Sequence, residues 1–260
     1  MPLFHRGHPD EHPVPDPPAF AENVIGEYHL EAGFRVSSIA GDRAESWLAV
    51  VPGEQAVGVW QDLVRQYGSG YWPLIIGPPK HEHLLADTSR QCRESENDIL
   101  SDASTLDPEA LLDSWRDDVR GHDFAGEWPR TAVPNNRFTL PLDEYTKRPQ
   151  STGIALLAVQ DHLAVPAVIG WGGWNACPKP AEHIAMLRRW EVSYGATLAG
   201  MSSDTLEMRV SRPPATREAA LRLAEEQFAY CADIVTQGTG TVGGLAGMLL
   251  DGTVWHFWWD

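Results

Sequence analysis

The chain has 260 residues, 43% of them hydrophobic, and a net charge of −16. That apolar fraction suffices for a buried core in one large domain or two small ones. The acidity runs against general nucleic-acid binding, which needs basic surface to neutralise phosphates, and no apolar stretch is long enough to cross a bilayer.

Residues 1–20, MPLFHRGHPDEHPVPDPPAF, lack the basic and apolar regions of a secretory leader. Pro2, Pro9, Pro13, Pro15, Pro17 and Pro18 exclude a helix there, so the segment reads as an extended arm. Residues 46–51, SWLAVV, suit a strand. Residues 54–66 carry Val57, Trp60, Leu63 and Val64 at helical spacing, and Gly68 and Gly70 end that helix. Residues 72–76, WPLII, read as a second strand, making a β-α-β unit that favours parallel pairing. Residues 86–118 look helical and acidic, with Asp107-Pro108-Glu109 as a helix start. From 121 to 149 the pattern fades among Pro129, Pro134, Pro141 and Pro149, and the segment reads as a long connection.

The second half restarts at Gly153. Residues 154–159 (IALLAV) and 164–169 (AVPAVI) are expected to be strands, followed by the loop GWGGWNACP. Residues 181–194 form a helix with Ile184, Leu187, Trp190 and Tyr194 on one stripe, stopped by Gly195. Residues 197–201 and 205–210 are strands. Thr216 N-caps a long helix with Ala220, Leu223, Ala224, Phe228 and Cys231 on its apolar side. Glu218, Arg222 and Glu226 lie on another face at charge-pairing spacing. Residues 242–250 form a short helix, and 253–260, TVWHFWWD, an aromatic strand. Each half has a helix ending in Tyr-Gly before a strand, at Tyr67-Gly68 and Tyr194-Gly195, too little to make a repeat. The expected fold is α/β or α+β: a mixed sheet with packed helices, in one two-part unit. Its parts are the arm (1–20), an α/β part with acidic helices and linker (21–149), and a C-terminal domain (150–260).

The second half carries a distinctive set of motifs. They are Gly172-Gly173-Trp174-Asn175-Ala176-Cys177-Pro178, Trp190 with Tyr194-Gly195-Ala196, Asp204, and Arg212-Pro213-Pro214. Ala224 and Tyr230-Cys231-Ala232-Asp233-Ile234-Val235-Thr236-Gln237-Gly238 follow, then Trp255 and Phe257-Trp258-Trp259-Asp260. In this combination residues 150–260 resemble the domain-of-unknown-function family 4253. The family's motif has Pro after the Tyr-Cys pair where this chain has Ala232. The resemblance implies a compact domain found in many bacteria, and no reaction, cofactor or catalytic residue.

Residues 238–243, GTGTVG, match GxGxxG, but the preceding segment reads as a helix end and no further βαβ units follow, so the glycines read as a break. Cys177, His183 and Cys231 lack the close pairing of zinc ligands, and no metal or cofactor is expected. Cys177 precedes a helix and has His183 nearby, the elements of a thiol nucleophile, with Pro178 and Pro180 between them. No GxSxG, HExxH, P-loop or DxDxDG pattern occurs. His5, His8, His12, His81 and His83 lie in polar or Pro-rich stretches and read as surface bystanders. On the last strand Trp255, Phe257 and Trp259 share one face, and His256, Trp258 and Asp260 the other. One face must be core; the other is a second core layer or a pocket wall.

Two functions from different classes fit. Between His81 and Glu127 there are 13 Asp/Glu against 4 Arg. A non-catalytic cytoplasmic protein that captures a basic protein partner, such as an immunity-type protein, would have this profile. The alternative is an enzyme or small-molecule binder whose Trp-lined cleft draws on Trp171, Trp174, Asn175, Cys177, Tyr230, Asp233, Gln237, Trp258 and Asp260. The sparse, odd set of cysteines, Cys92, Cys177 and Cys231, fits a reducing compartment. Oligomeric state is not legible.

Overall fold

The computed structural model describes residues 30–32, 36–38, 41–44, 46–65, 70–118 and 126–260; the Pro-rich arm expected over 1–20 lies outside them. The strands are β1 (Leu30–Ala32), β2 (Val36–Ser38), β3 (Gly41–Ala44), β4 (Ser46–Val51) and β5 (Trp72–Gly77), then β6 (Thr152–Leu157), β7 (Ala196–Met201), β8 (Thr205–Val210) and β9 (Val254–Trp258). Seven of them form one mixed sheet in the order β1-β4-β6-β5-β7-β8-β9, and β2 pairs with β3 separately. Within the large sheet only β5 and β7 are parallel neighbours. With helices packed on the sheet, the fold is α+β.

The helix expected after β4 is α1 (Gly53–Val64), which leads into β5. β4 and β5 do run in the same direction, but not side by side: β6 lies between them, antiparallel to both. Its sequence, TGIALL, is buried at every position, as is β5. An uninterrupted apolar run has no face to give to solvent and belongs at the centre of a sheet covered on both sides. A strand from the second half thus completes the sheet of the first.

Residues 164–169 are not a strand. They form the end of a 3-10 turn and a short helix, α5 (Val165–Ile169), entered through Asp161, whose side chain accepts from Leu163 N at 2.9 Å. Pro166 fits the first turn of a helix and would remove a ladder donor from a strand. All five residues are buried, and an all-apolar run carries no periodicity to separate the two structures.

The acidic region is three helices, α2 (His81–Gln91), α3 (Glu96–Thr105) and α4 (Pro108–Asp118). Ser95 caps α3, and the Asp107 carboxylate accepts from Glu109 N at 3.1 Å at the start of α4. Both are docked through narrow apolar sides: Ile99 and Ala103 pack with Ala167 and Ile184, and Trp115 meets Tyr230 edge-on. α6 (Pro180–Tyr194) ends at Gly195, whose left-handed φ of 58° suits a residue without a side chain. α7 (Arg217–Tyr230) starts at Thr216 as expected. Glu226 is not a solvated charge partner: it is buried and accepts from Trp190 Nε1 at 2.6 Å and Arg189 Nε at 2.7 Å, tying α7 to α6. A π-helical turn (Ile234–Thr239) and α8 (Val242–Leu249) lead to β9.

Candidate functional site

β8 reads TLEMRV. Leu206 and Met208 pair across β9 with Phe257 and Trp255, on the face where Trp190 stacks on Phe257. Glu207 and His256 pair on the opposite face. The connection between the halves crosses that face, so Glu207 is fully buried. Its Oε1 accepts from Thr139 N at 2.6 Å and Thr139 Oγ1 at 2.8 Å, and its Oε2 from Leu140 N at 3.2 Å. His256 Nδ1 lies 3.2 Å from Oε1. The carboxylate is thus satisfied on both oxygens despite its burial, and it fixes the imidazole, whose side chain is 24% exposed.

His256 and Trp258 form part of the wall of a cavity of about 730 Å³. It lies past the C-terminal ends of the parallel pair β5 and β7, where Pro78, His81, Ser202 and Asp204 come together. His81 Nδ1 lies 3.2 Å from Ile76 O, and burial lowers its pKa. Asp204 Oδ1 accepts from Ser202 Oγ and Thr205 Oγ1, both at 3.0 Å. The third wall is the loop 139–150. It is braced by Asp143 N to Arg148 O at 2.8 Å, by Gln150 N to Pro141 O at 3.0 Å, and by Thr146 N to the Asp143 carboxylate at 2.7 Å. Tyr145 stands on this loop with 88% of its surface exposed.

Of the residues singled out in the sequence, Trp258 lines this cavity. Trp171, Cys177 and Tyr230 are buried in the core. Trp171 donates from Nε1 to Ser202 O at 2.8 Å, anchoring the β7–β8 turn, and Trp174 packs edge-on against it. Cys177 does meet His183, Sγ to Nε2 at 3.4 Å, and His183 Nδ1 lies 2.5 Å from the Tyr230 hydroxyl. Burial sets the chemistry of this array. It raises the thiol and phenol pKa values and lowers that of His183 to about 3. Cys231 is likewise pushed up to about 12 by burial. A nucleophilic thiol needs the opposite shift, so the array is a neutral, hydrogen-bonded part of the core.

Asn175, Asp233, Gln237 and Asp260 form a clasp near the end of β9. Asp260 N donates to Asp233 Oδ2 at 3.0 Å, Asn175 Nδ2 donates to Asp260 O at 3.0 Å, and Gln237 Nε2 donates to Asp233 Oδ1 at 3.2 Å. The clasp fixes the strand that carries His256 and Trp258. The GxGxxG segment follows a helix, and a side chain at Gly243 would strike Glu127 O, so that glycine permits a close chain crossing. No group of three or more His, Cys, Asp or Glu able to hold a metal ion occurs among the described residues, and none of the described helices is long and apolar enough to cross a membrane.

Reading the sequence missed Glu207, Thr139 and His81. Glu207 alternates with apolar neighbours as a solvent-facing residue would, and His81 sits in a polar stretch. Only the cross-strand partnership of Glu207 with His256 marks the site, and pairing is not written in one strand.

Sheet, cavity and buried carboxylate together define an α+β protein with a ligand-sized, polar cavity at one end of its sheet. Residues 153–260, which hold Glu207 and His256, match the family described as Domain of unknown function (DUF4253). Neither a curated protein nor a solved structure matches the chain.

Proposed function

We propose that the chain is a small-molecule-binding protein whose ligand occupies the cavity bounded by β9, the start of α2 and the loop 139–150. One observation carries this reading: a buried, fully hydrogen-bonded Glu207 spends its last contact on holding a partly exposed imidazole at the wall of that cavity. A carboxylate kept only for stability would do as well without a histidine at the cavity wall. Cavities of several hundred cubic ångströms with a few fixed polar groups are the usual form of small-ligand sites. Ligand-detected NMR with a mixed fragment library tests it. Fragments that bind the native chain should be lost when Ser203→Phe fills the cavity; fragments that bind equally well to both would place the ligand elsewhere.

The acidic helices favour a second reading, capture of a basic protein. Asp98, Asp102, Asp107, Glu109, Asp113 and Asp117 are all exposed on or beside α3 and α4; Arg116 pairs with Asp113 and Arg189 with Glu109. A basic partner recovered from cell extract should then release with salt and with charge reversal at Asp102, Asp113 and Asp117. Retention of that partner by the reversed variant would discard this reading. The buried thiols of Cys177 and Cys231 support a reducing, cytoplasmic setting for either function.

A further inference from the structure

We infer that the cavity takes an uncharged, polyhydroxylated ligand of the saccharide class, which donates hydrogen bonds to two imidazole acceptors. The inference rests on the cavity being a ligand site. It begins with the tautomers. His81 Nδ1 faces the carbonyl of Ile76 at 3.2 Å. A carbonyl can only accept, so Nδ1 carries the proton, and in the neutral ring Nε2 keeps a lone pair. His256 carries a proton on the same nitrogen for another reason. The Thr139 hydroxyl gives its hydrogen to Glu207 Oε1, so the two contacts of His256 Nδ1, to that carboxylate and to Thr139 Oγ1, both 3.2 Å, require a proton on Nδ1. Both rings line the cavity, and neither Nε2 has a protein partner among the described residues or is a sealed, unpaired atom. Burial helps keep His81 neutral. In their neutral forms the two rings present two fixed acceptors to one cavity, which call for a ligand that brings donors.

The charges around the imidazoles disfavour an anion. Asp143, Glu144 and Asp204 line the cavity against Lys80 and Lys147, both exposed, and Glu207 lies behind His256. The chain as a whole carries −16, so the long-range field also repels anions. Flat apolar surface is present as well. Trp258 lines the cavity, and Tyr145 offers an 88% exposed ring on the loop. Aromatic faces bury the C–H face of a pyranose while hydroxyls reach the polar groups around it, as amphipathic ligands require.

Two measurements test the inference. Long-range 1H–15N spectra of the histidine rings should show the proton on Nδ1 for both His81 and His256; a proton on Nε2 of His256 overturns it. Titration with glucose, galactose and mannose, followed at the Trp258 indole N–H, should show binding by at least one neutral sugar. Glucuronate and glucose 6-phosphate should bind more weakly. His256→Ala should weaken the sugar by about tenfold or more, and Tyr145→Ala, on an exposed side chain, serves if the first variant does not fold. Preference for the anionic sugars, or cavity occupancy by aromatic or cationic fragments while every neutral sugar leaves the signals unmoved, defeats the saccharide inference and leaves the cavity as a ligand site. A cavity that admits no probe of any charge defeats both.

Discussion

At the scale of single residues the site depends on Glu207. Glu207→Gln puts an amide where Thr139 N, Thr139 Oγ1 and Leu140 N all donate, so at least one buried donor loses its acceptor. Hydrogen bonds to a carboxylate contribute about 1.5–3 kcal/mol, and the urea midpoint should fall by the equivalent of that amount. His183 sets a second expectation. Its folded pKa of about 3 lies below the ordinary 6.5 because of burial. Above pH 6.5 the ring is neutral folded and unfolded, and the histidine makes no pH-dependent contribution. Between 6.5 and about 3 only the unfolded chain takes up the proton, so stability falls with acid by about 1.4 kcal/mol per pH unit for such a group. Buried His162 is shifted the same way and adds to the slope. Urea unfolding at pH 7, 6 and 5 should show this decline; a flat profile would place these rings in water. The aromatic alternation of β9 was legible, and it placed Trp258 and His256 on one face. Glu207 and His81 were not, because their roles come from contacts with β9 and with Ile76 that local pattern does not encode.

At the scale of elements, packing decided what periodicity could not. Residues 164–169 became helical because Asp161 could cap the 3-10 turn that leads into the helix and Pro166 could sit in its first turn, neither of which an apolar count weighs. The helix at 181–194, by contrast, announced itself by its stripe and its terminal glycine. Glu226 shows the limit of charge spacing: its partners are on α6, not on its own helix. Glu226→Ala would leave the Trp190 N–H buried without an acceptor and Arg189 with only Glu109. Loss of a buried partner of this kind costs about 3 kcal/mol. Thermal unfolding should shift down accordingly, and an unchanged midpoint would mean that α6 and α7 are held by apolar contact alone.

At the scale of the whole molecule the two halves are joined through β6, which pairs along its length with β4 and β5. The segment 121–149 has no periodicity in its sequence, and nothing there signals that Thr139 and Leu140 would cover Glu207 or that residues 139–150 would wall the cavity, since irregular backbone carries no pattern to read. Residues 150–260 expressed alone should therefore be unfolded by NMR and should fold when mixed with residues 1–149; a dispersed spectrum from the shorter piece would show that the matched family domain stands without its sheet partners. The most direct test of the ligand site is a crystal of the native chain soaked with a mixed fragment library. Ligand density against His256 and Trp258 is the expected result. Fragments bound elsewhere, with only solvent beside His256, would contradict it.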